Sequence, residues 1–217
     1  MIGEFFILRR QIEKEIASAF SNENGRILDI GSGSNPNYQE IMKGTIINFD
    51  IKKTGKSHLV GDAGFLPFKK NSFDKIIIVN SLYYFKNPFK VIERIGILLK
   101  KNGKLVIVNP FFYPIHDIPD DKYRFTEYGL KTILQDYFKI EKIREIGGFF
   151  NIPAVMLHSL IKGLPLLAPK SVKWLIQLMA YIVFYIPYIL AQLISVLDVF
   201  DRTKRWPTYY VVVAKKI

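Results

Sequence analysis

A short apolar run followed by a glycine turn, Arg26-Ile-Leu-Asp-Ile-Gly-Ser-Gly-Ser-Asn-Pro36, constrains the fold of this chain more than any other segment. Its apolar residues are typical of a buried parallel strand. Its two glycines permit a tight turn in which a ligand can approach bare backbone. Asn35 favours a helix N-cap, and Pro36 fits the first helical position. The segment therefore predicts strand, turn and helix, with Asp29 near the end of the strand where open α/β sheets bind ligands.

Two nucleotide-binding turns are excluded by this sequence. A dinucleotide fingerprint needs glycine where the chain has Pro36, and the phosphate-binding P-loop needs a Gly-Lys-Ser/Thr ending that is absent here. What remains, D-x-G-x-G-x-N, resembles motif I of the class I S-adenosylmethionine-dependent methyltransferases, with Asn35 where a third glycine is usual. The resemblance implies S-adenosylmethionine as cofactor and a turn that holds its methionine part through Asp29, Gly31, Ser32 and Gly33.

Further strand signals alternate with helical segments along the chain. Strands are predicted at residues 45–50, 57–62, 72–80, 104–109, 138–146 and 208–214. Helices are predicted at residues 4–20, 38–42 and 127–135, and another begins at Asn87-Pro88 and ends in the basic turn Lys100-Lys-Asn-Gly103. The alternation predicts βαβ units and an α/β fold with a doubly wound, mostly parallel, seven-stranded sheet.

Asp50 ends the second predicted strand, 21 positions after Asp29. A carboxylate at the end of a neighbouring strand can accept hydrogen bonds from both hydroxyls of a ribose. In the methyltransferase family an acid at the matching place does this, so the resemblance implies a ribose site at Asp50, with Ile51 beside it. The alternative is an exposed aspartate in a turn.

The order G-D-A-x-x-L-P-F, then S-F-D and an apolar run, resembles the middle of small-molecule methyltransferases. The resemblance implies that Asp62 contacts the exocyclic amine of adenine, with Ala63 beside it. It also implies that Asn80 and Ser81, just past the fourth strand, line the pocket under the sulfonium. Taken alone, Asp62 would be a turn former.

A long, proline-punctuated segment, residues 110–126, follows the fifth predicted strand, and such loops tend to be functional. Its pattern H-x-x-P-x-D-x-Y-R-F-T resembles a branch of class I methyltransferases, several of which are associated with cell-surface glycan or lipid pathways. His116 is the residue type best suited to accept the proton of the methyl acceptor near neutral pH, with Asp117 or Asp121 orienting it. Arg124 can clamp an anionic group. The alternatives are a loop-stabilising hydrogen bond from His116 and a structural role for Tyr123 and Arg124, with Tyr123 the next catalytic candidate.

Residues 147–207 separate the last two predicted strands and form an apolar helical insertion. Trp174–Leu197 carries no charged side chain and is long enough to cross a membrane. Both strands must lie on one side of any membrane, so we expect Pro187 to break the run, or Phe149–Ala168 to pair with it, in a monotopic hairpin with basic flanks. The alternative is a helical lid or a homodimer interface. The predicted domains are residues 1–146 with 208–217, and the insertion.

The net charge of +12 favours an anionic partner, and the 49% hydrophobic content favours a membrane surface over nucleic acid. The absence of cysteine excludes thiolate chemistry, and three histidines make a metal centre unexpected. The N-terminus lacks the charge order of a secretory signal, so we expect a cytoplasmic protein on the inner face of the cell membrane. The predicted function is methyl transfer to a hydrophobic or lipid-linked small molecule. The alternatives are a non-catalytic scaffold and, less favoured, an RNA methyltransferase.

Overall fold

The computed structural model describes residues 5–20, 24–34 and 36–217. The chain divides into two compact units. The helical unit comprises residues 5–11, 112–114 and 145–208, and the sheet unit comprises the other described residues. The N-terminal residues thus group with the helical segment by their contacts, and the domain boundaries drawn from the sequence stay a prediction.

The sheet has seven strands, as predicted. They are β1 (Arg26–Ile30), β2 (Thr45–Asp50), β3 (Leu59–Val60), β4 (Phe73–Val79), β5 (Leu99–Pro110), β6 (Phe138–Ile146) and β7 (Tyr209–Lys216). Their order is β3-β2-β1-β4-β5-β7-β6. The pairs among β1 to β5 are parallel, and β5 pairs with β7 in the antiparallel sense. This is the doubly wound, mostly parallel sheet that the sequence predicted.

Strand β4 lies at the centre of the sheet, and six of its seven residues are buried. Burial on both faces explains why its second half, Ile76 to Val79, is a continuous apolar run and not an alternating one. The same core takes in the apolar stripe of the helix α2 (Pro88–Leu98) through Val91, Ile92 and Ile95.

Side-chain caps fix the starts of two helices where the sequence predicted them. The Asn87 Oδ1 atom accepts a hydrogen bond from the Lys90 backbone N–H at 3.0 Å, opening α2. The Thr126 Oγ1 atom accepts one from the Gly129 N–H at 3.1 Å, opening α3 (Glu127–Leu134). The N-terminal helix α1 (Phe6–Phe20) is also confirmed, and its apolar stripe is buried: Leu8, Ile12, Ile16 and Phe20.

Two predicted helix boundaries were wrong. After the glycine turn the chain forms only a 3-10 helix, Asn37–Ile41, preceded by Pro36 without a side-chain cap, and Asn35 lies outside the described residues. Helix α2 ends at Leu98, because Leu99 already pairs with Phe73 of β4. The basic segment after it therefore belongs to β5 and is not the last turn of the helix.

The helical unit contains α4 (Ile152–Gly163) and α5 (Lys173–Ile194), which pack against each other. The prediction that Pro187 breaks the run was wrong: α5 is continuous through it, since a proline removes one hydrogen bond while the neighbouring turns keep theirs. Two helical stretches, Phe149–Leu167 and Lys173–Phe200, are long and apolar enough to cross a membrane, judged by length and composition only.

Candidate functional site

The carboxyl ends of β2, β1, β4 and β5 share one edge of the sheet because these strands are parallel. The strand order reverses between β1 and β4, which makes their ends the switch point where α/β sheets bind ligands. At this point the ideal Cβ of Gly31 would lie 2.4 Å from the Ser81 Cβ. The Ser81 hydroxyl donates to the Ile30 carbonyl at 2.8 Å and so joins the two strand ends.

The glycine turn adopts the backbone conformation that favours glycine, with φ of +73° at Gly31 and +66° at Gly33. Among the described residues, no atom lies within 4 Å of the ideal Cβ position of Gly33 once its two chain neighbours are set aside, so its backbone faces open space in that part of the chain. The Thr54 hydroxyl donates to the Gly33 carbonyl at 3.1 Å. The hydrogen bond from Thr54 thus fixes the turn, and the open space at Gly33 leaves room for a ligand beside it.

Asp50 lies at the end of β2 and fixes the turn from the neighbouring strand. Its Oδ2 atom accepts from the Gly33 N–H at 2.8 Å, and its Oδ1 atom accepts from the Lys52 N–H at 2.9 Å. Each carboxylate oxygen has a second lone pair, so Asp50 can still accept two ligand hydroxyls. Ile51 follows it and is 67% exposed, an apolar surface at the same strand end.

Asp62 and Ala63 lie after β3. The Asp62 Oδ1 atom accepts from the Gly64 N–H at 2.7 Å and caps the 3-10 helix Ala63–Phe65. The side chain of Asp62 is exposed, whereas Ala63 is buried. The turn-forming role is therefore present, and the exposed carboxylate keeps acceptor capacity for a ligand.

Asp29 is fully buried next to the turn. The Tyr38 hydroxyl and the Gln39 amide donate to its Oδ2 atom at 2.8 and 2.5 Å. Burial raises the pKa of Asp29 to about 7, against the lowering effect of these two hydrogen bonds. Gln39 also donates to the Asn48 Oδ1 atom at 2.6 Å, so one amide ties β1 to β2.

Buried polar atoms without a hydrogen-bond partner concentrate at this edge. Among the described residues there are five, and all but Asn151 Oδ1 lie at or just past the ends of β1, β4 and β5: Asp29 Oδ1, Ser32 Oγ, Asn80 Oδ1 and Asn109 Oδ1. Buried acceptors without partners are costly in the free protein. These acceptors complement a ligand that is rich in donors, such as one with an ammonium group, ribose hydroxyls and an amino-substituted base.

His116 lies beside the segment that follows β4. Its Nε2 atom is 3.1 Å from the Tyr83 hydroxyl, and its Nδ1 atom is 3.2 Å from the Asp121 Oδ2 atom. The neighbouring Asp117 accepts from the Tyr84 hydroxyl at 2.5 Å. The predicted base is thus packed into a hydrogen-bonded group and does not project alone from a loop.

Tyr123 and Arg124 stabilise the loop. The Tyr123 hydroxyl donates to the Lys86 carbonyl at 3.2 Å, and its ring stacks on Phe125. Both terminal nitrogens of Arg124 donate to the Asp121 carboxylate. These contacts provide the structural role that the sequence left open for both residues.

Several site residues were not predicted from the sequence. Tyr38 and Gln39 hold Asp29, and Tyr83 contacts His116 across 33 positions of sequence. Tyr83 could have been predicted as a site residue, because it closely follows Asn80-Ser81 at the end of a predicted strand. Among the described residues no group of three or more His, Asp or Glu side chains is placed to hold a metal ion.

The geometry agrees with what comparison with known proteins shows. The family described as methyltransferase domain matches residues 28–107, which run from β1 into β5 and include the switch point. The chain therefore contains a methyltransferase domain, and its sheet has the fold of the class I S-adenosylmethionine-dependent methyltransferases. The match supports a methyltransferase enzyme with S-adenosylmethionine as its cofactor, and the edge of the sheet described above is where α/β sheets of this kind bind ligands.

Two uncharacterised proteins of Methanocaldococcus jannaschii are similar to this methyltransferase. MJ1123 is 30% identical over 140 residues, covering 60% of this chain and 67% of that protein. MJ1252 is 27% identical over 137 residues, covering 60% of this chain. The matched region spans only 50% of MJ1252.

Solved structures share the fold at low sequence identity. A putative sarcosine dimethylglycine methyltransferase from Galdieria sulphuraria has a TM-score of 0.62 at 11% identity, covering 95% of this chain and 86% of that one. The [4+2]-cyclase SpnF has a TM-score of 0.63 at 15% identity, covering 96% and 81%. These structures establish the architecture and leave the acceptor to be inferred from this chain.

Proposed function

We propose that this methyltransferase transfers a methyl group to a hydrophobic or lipid-linked small molecule at an anionic membrane surface. The observation that carries the proposal is the exposed apolar surface of α5. Only 22% of its most apolar window is buried. Large apolar side chains more than 40% exposed occur along the helix: Trp174, Leu175, Leu178, Met179, Ile182, Val183, Tyr185, Ile186, Leu190, Leu193 and Ile194.

A helix that is apolar all round must be covered by protein or lipid. Burying one such aliphatic side chain contributes roughly 1.5–3 kcal/mol, so leaving the whole surface in water would be very unfavourable. The helix of 22 residues is about 33 Å long at 1.5 Å per residue, comparable to the hydrocarbon core of a bilayer. These features support lipid as the cover.

The charges flanking the helix support the same proposal. Lys170 and Lys173 precede it, and Arg202, Lys204 and Arg205 follow it. A basic residue near an anionic leaflet contributes about 1 kcal/mol. Basic flanks at both ends favour a pair of helices that enters and leaves from the cytoplasmic side, as a monotopic hairpin does.

The cofactor supplies an electrophilic methyl group on a sulfonium when it is bound. The turn at Gly31 and Gly33 would hold its methionine part with Asp29, while Asp50 would hold the ribose and Asp62 the adenine. His116 would accept the proton that the acceptor oxygen or nitrogen releases. Positioning of the acceptor supplies the rest of the rate enhancement.

The cofactor site is tested by titration calorimetry of the detergent-solubilised protein with S-adenosylhomocysteine, next to an Asp50→Ala variant. Micromolar binding that the variant loses is the expected result. Absence of binding by folded wild-type protein would favour a non-catalytic scaffold.

The membrane proposal is tested by flotation with vesicles of phosphatidylglycerol and phosphatidylethanolamine. Replacing Ile182 and Ile186 by Asp should reduce the floated fraction at least tenfold, because each charge costs about 2.5–3.5 kcal/mol in the bilayer interior. Tyr128→Asp is the matched control, because Tyr128 is a 76% exposed apolar residue in the sheet unit. Wild-type protein that ignores vesicles and forms a dimer in solution would refute the membrane surface in favour of a homodimer interface.

The acceptor is tested by transfer of radiolabelled methyl from S-adenosylmethionine to a membrane lipid extract. Label in the organic phase is expected, and it should fall at least tenfold with His116→Ala while cofactor affinity stays unchanged. Label in RNA alone would overturn the proposed acceptor.

A further inference from the structure

The loop that carries His116 holds it from both ring nitrogens. Asp121 is the partner of Nδ1, at 3.2 Å, and also accepts from the His116 backbone N–H at 3.0 Å. Tyr83 is the partner of Nε2. The imidazole is only 19% exposed, so its orientation is fixed by these contacts and not by solvent.

Asp121 is itself held in place by Arg124. The carboxylate is 1% exposed and receives both guanidinium nitrogens, one of them at 2.6 Å. Burial acts to raise the pKa of Asp121, but the bonds from Arg124 and from the His116 backbone outweigh it and hold the pKa below its usual value. An ionised carboxylate can only accept hydrogen bonds, so the His116 nitrogen facing it must carry a proton.

In the neutral ring of His116 the other nitrogen, Nε2, then carries no proton. The Tyr83 hydroxyl at 3.1 Å can donate to it, and the Tyr83 ring also lies under the Arg124 guanidinium, 5.5 Å from ring centroid to Cζ. Burial raises the pKa of Tyr83 far above its usual value, which keeps the hydroxyl a donor. The Asp121 carboxylate therefore selects the Nδ1–H tautomer, and the Tyr83 hydroxyl is placed to donate to the unprotonated Nε2 of that tautomer.

We propose that Asp121, Arg124 and Tyr83 are positioning residues that hold His116 in the Nδ1–H tautomer, with Nε2 as the proton-accepting nitrogen. The role as a base rests on the proposed function, but the tautomer does not. The cofactor, when bound, would supply the methyl group, and its sulfur would keep the electron pair of the carbon–sulfur bond as the acceptor bonds to the methyl carbon. The proton that the acceptor releases would go to Nε2, in place of the hydrogen bond from Tyr83.

The tautomer can be measured by two-dimensional NMR of protein labelled with ¹⁵N-histidine in detergent. The chain has three histidines, so His116→Gln assigns the signal. His58 is an internal reference, because its Nδ1 atom accepts from the Asn48 N–H at 3.0 Å and must be unprotonated when the ring is neutral. We expect the opposite pattern at His116, with Nδ1 protonated. An Nε2–H signal from wild-type His116 would overturn the inference.

The Asp121→Asn variant tests whether Asp121 sets the tautomer of His116. Its neutral amide oxygen is a weaker acceptor for the Nδ1–H group than the carboxylate, so the tautomer ratio should shift at least tenfold toward Nε2–H. Asp117→Asn is the matched control, since it makes the same change on the same loop, where Asp117 lies 4.0 Å from Nε2. An unchanged tautomer in folded Asp121→Asn would refute the role of Asp121. If that variant does not fold, Arg124→Lys tests the same arrangement, because it weakens the hydrogen bonds that hold the Asp121 carboxylate. The spectrum of the wild-type protein still shows which tautomer His116 adopts.

Measurements of turnover and of cofactor binding distinguish a failure of this inference from a failure of the proposed function. With an acceptor in hand, Asp121→Asn should lower kcat at least tenfold and leave the affinity for S-adenosylhomocysteine unchanged. Failure of wild-type protein to bind S-adenosylhomocysteine would refute the proposed function and leave the tautomer result standing. If the wild-type protein binds S-adenosylhomocysteine but its His116 carries the proton on Nε2, this inference is refuted and the proposed function is not.

Discussion

The glycine turn offers a matched pair of substitutions whose costs can be worked out from the structure. Gly31 and Gly33 both have positive φ, +73° and +66°. Replacing either by Ala places a side chain in the left-handed region, at a cost of roughly 1–2 kcal/mol. Part of this, about 0.4–1 kcal/mol, is offset because Ala lowers the entropy of the unfolded chain. The backbone contribution is therefore nearly equal at the two positions.

The two positions differ in the space available. A Cβ at Gly33 would meet no atom of the described residues within 4 Å beyond its chain neighbours, whereas at Gly31 it would lie 2.4 and 2.5 Å from the Ser81 Cβ and Oγ atoms. Overpacking of this kind costs about 1–3 kcal/mol. Displacing Ser81 would also break its bond to the Ile30 carbonyl, worth about 0.5–1.5 kcal/mol. We therefore expect Gly31→Ala to destabilise the protein by about 1.5–4.5 kcal/mol more than Gly33→Ala.

Urea unfolding followed by circular dichroism measures this difference, and calorimetry with S-adenosylhomocysteine measures the site. Gly33→Ala should unfold near the wild-type midpoint but bind at least tenfold more weakly, because its Cβ points into the open side of the turn. In a double-mutant cycle, adding Ser81→Gly to Gly31→Ala should recover part of the lost stability. Equal destabilisation by the two alanines, or no recovery in the cycle, would refute the close approach of β1 and β4.

Three further predictions concern carboxylates that accept hydrogen bonds within the fold. Asp50→Ala should lose the bonds to the Gly33 and Lys52 N–H groups and abolish binding of S-adenosylhomocysteine measured by calorimetry; retained binding would contradict the ribose role. The folded pKa of Asp29, about 7, exceeds the unfolded value, so its stabilisation is present below about pH 4 and lost as pH rises to 7, by at most about 1.4 kcal/mol per pH unit. Urea unfolding of Asp29→Asn should therefore show a flatter pH dependence than wild type across that window. Asp198→Ala should remove the bond at 2.8 Å from the Phe150 N–H and destabilise the start of α4 by about 1–3 kcal/mol, seen as faster hydrogen exchange there with cofactor binding unchanged.

Local patterns account for the parts of the fold that the sequence predicted. The stripe of α1, the caps at Asn87 and Thr126 and the bounds of β6 depend on residues within a few positions of each other. The continuous apolar run of β4 depends on burial on both faces, which composition already indicates. For the same reason the glycine turn and the acids at the ends of β1 and β2 could be placed before the structure was known.

Errors arose where pairing between distant segments overrode a local signal. The basic segment after α2 has the composition of a helix end, yet Leu99 pairs with Phe73 in the sheet. Pro187 is a helix breaker by propensity, yet α5 runs through it, packed on α4. In both cases tertiary contacts contribute more than the local preference costs.

The sequence by itself determined the fold class, because the fold class depends on the periodicity of apolar residues. Its resemblance to class I methyltransferases implied the cofactor and the strand ends that are proposed to bind it. Only the tertiary structure decided the environment of each chemical group. It placed Asp29 beneath Tyr38 and Gln39, and it set His116 between Asp121 and Tyr83. Hydrogen-bond geometry and burial depend on residues that meet only when the chain folds, and these decide which nitrogen or oxygen is available for chemistry.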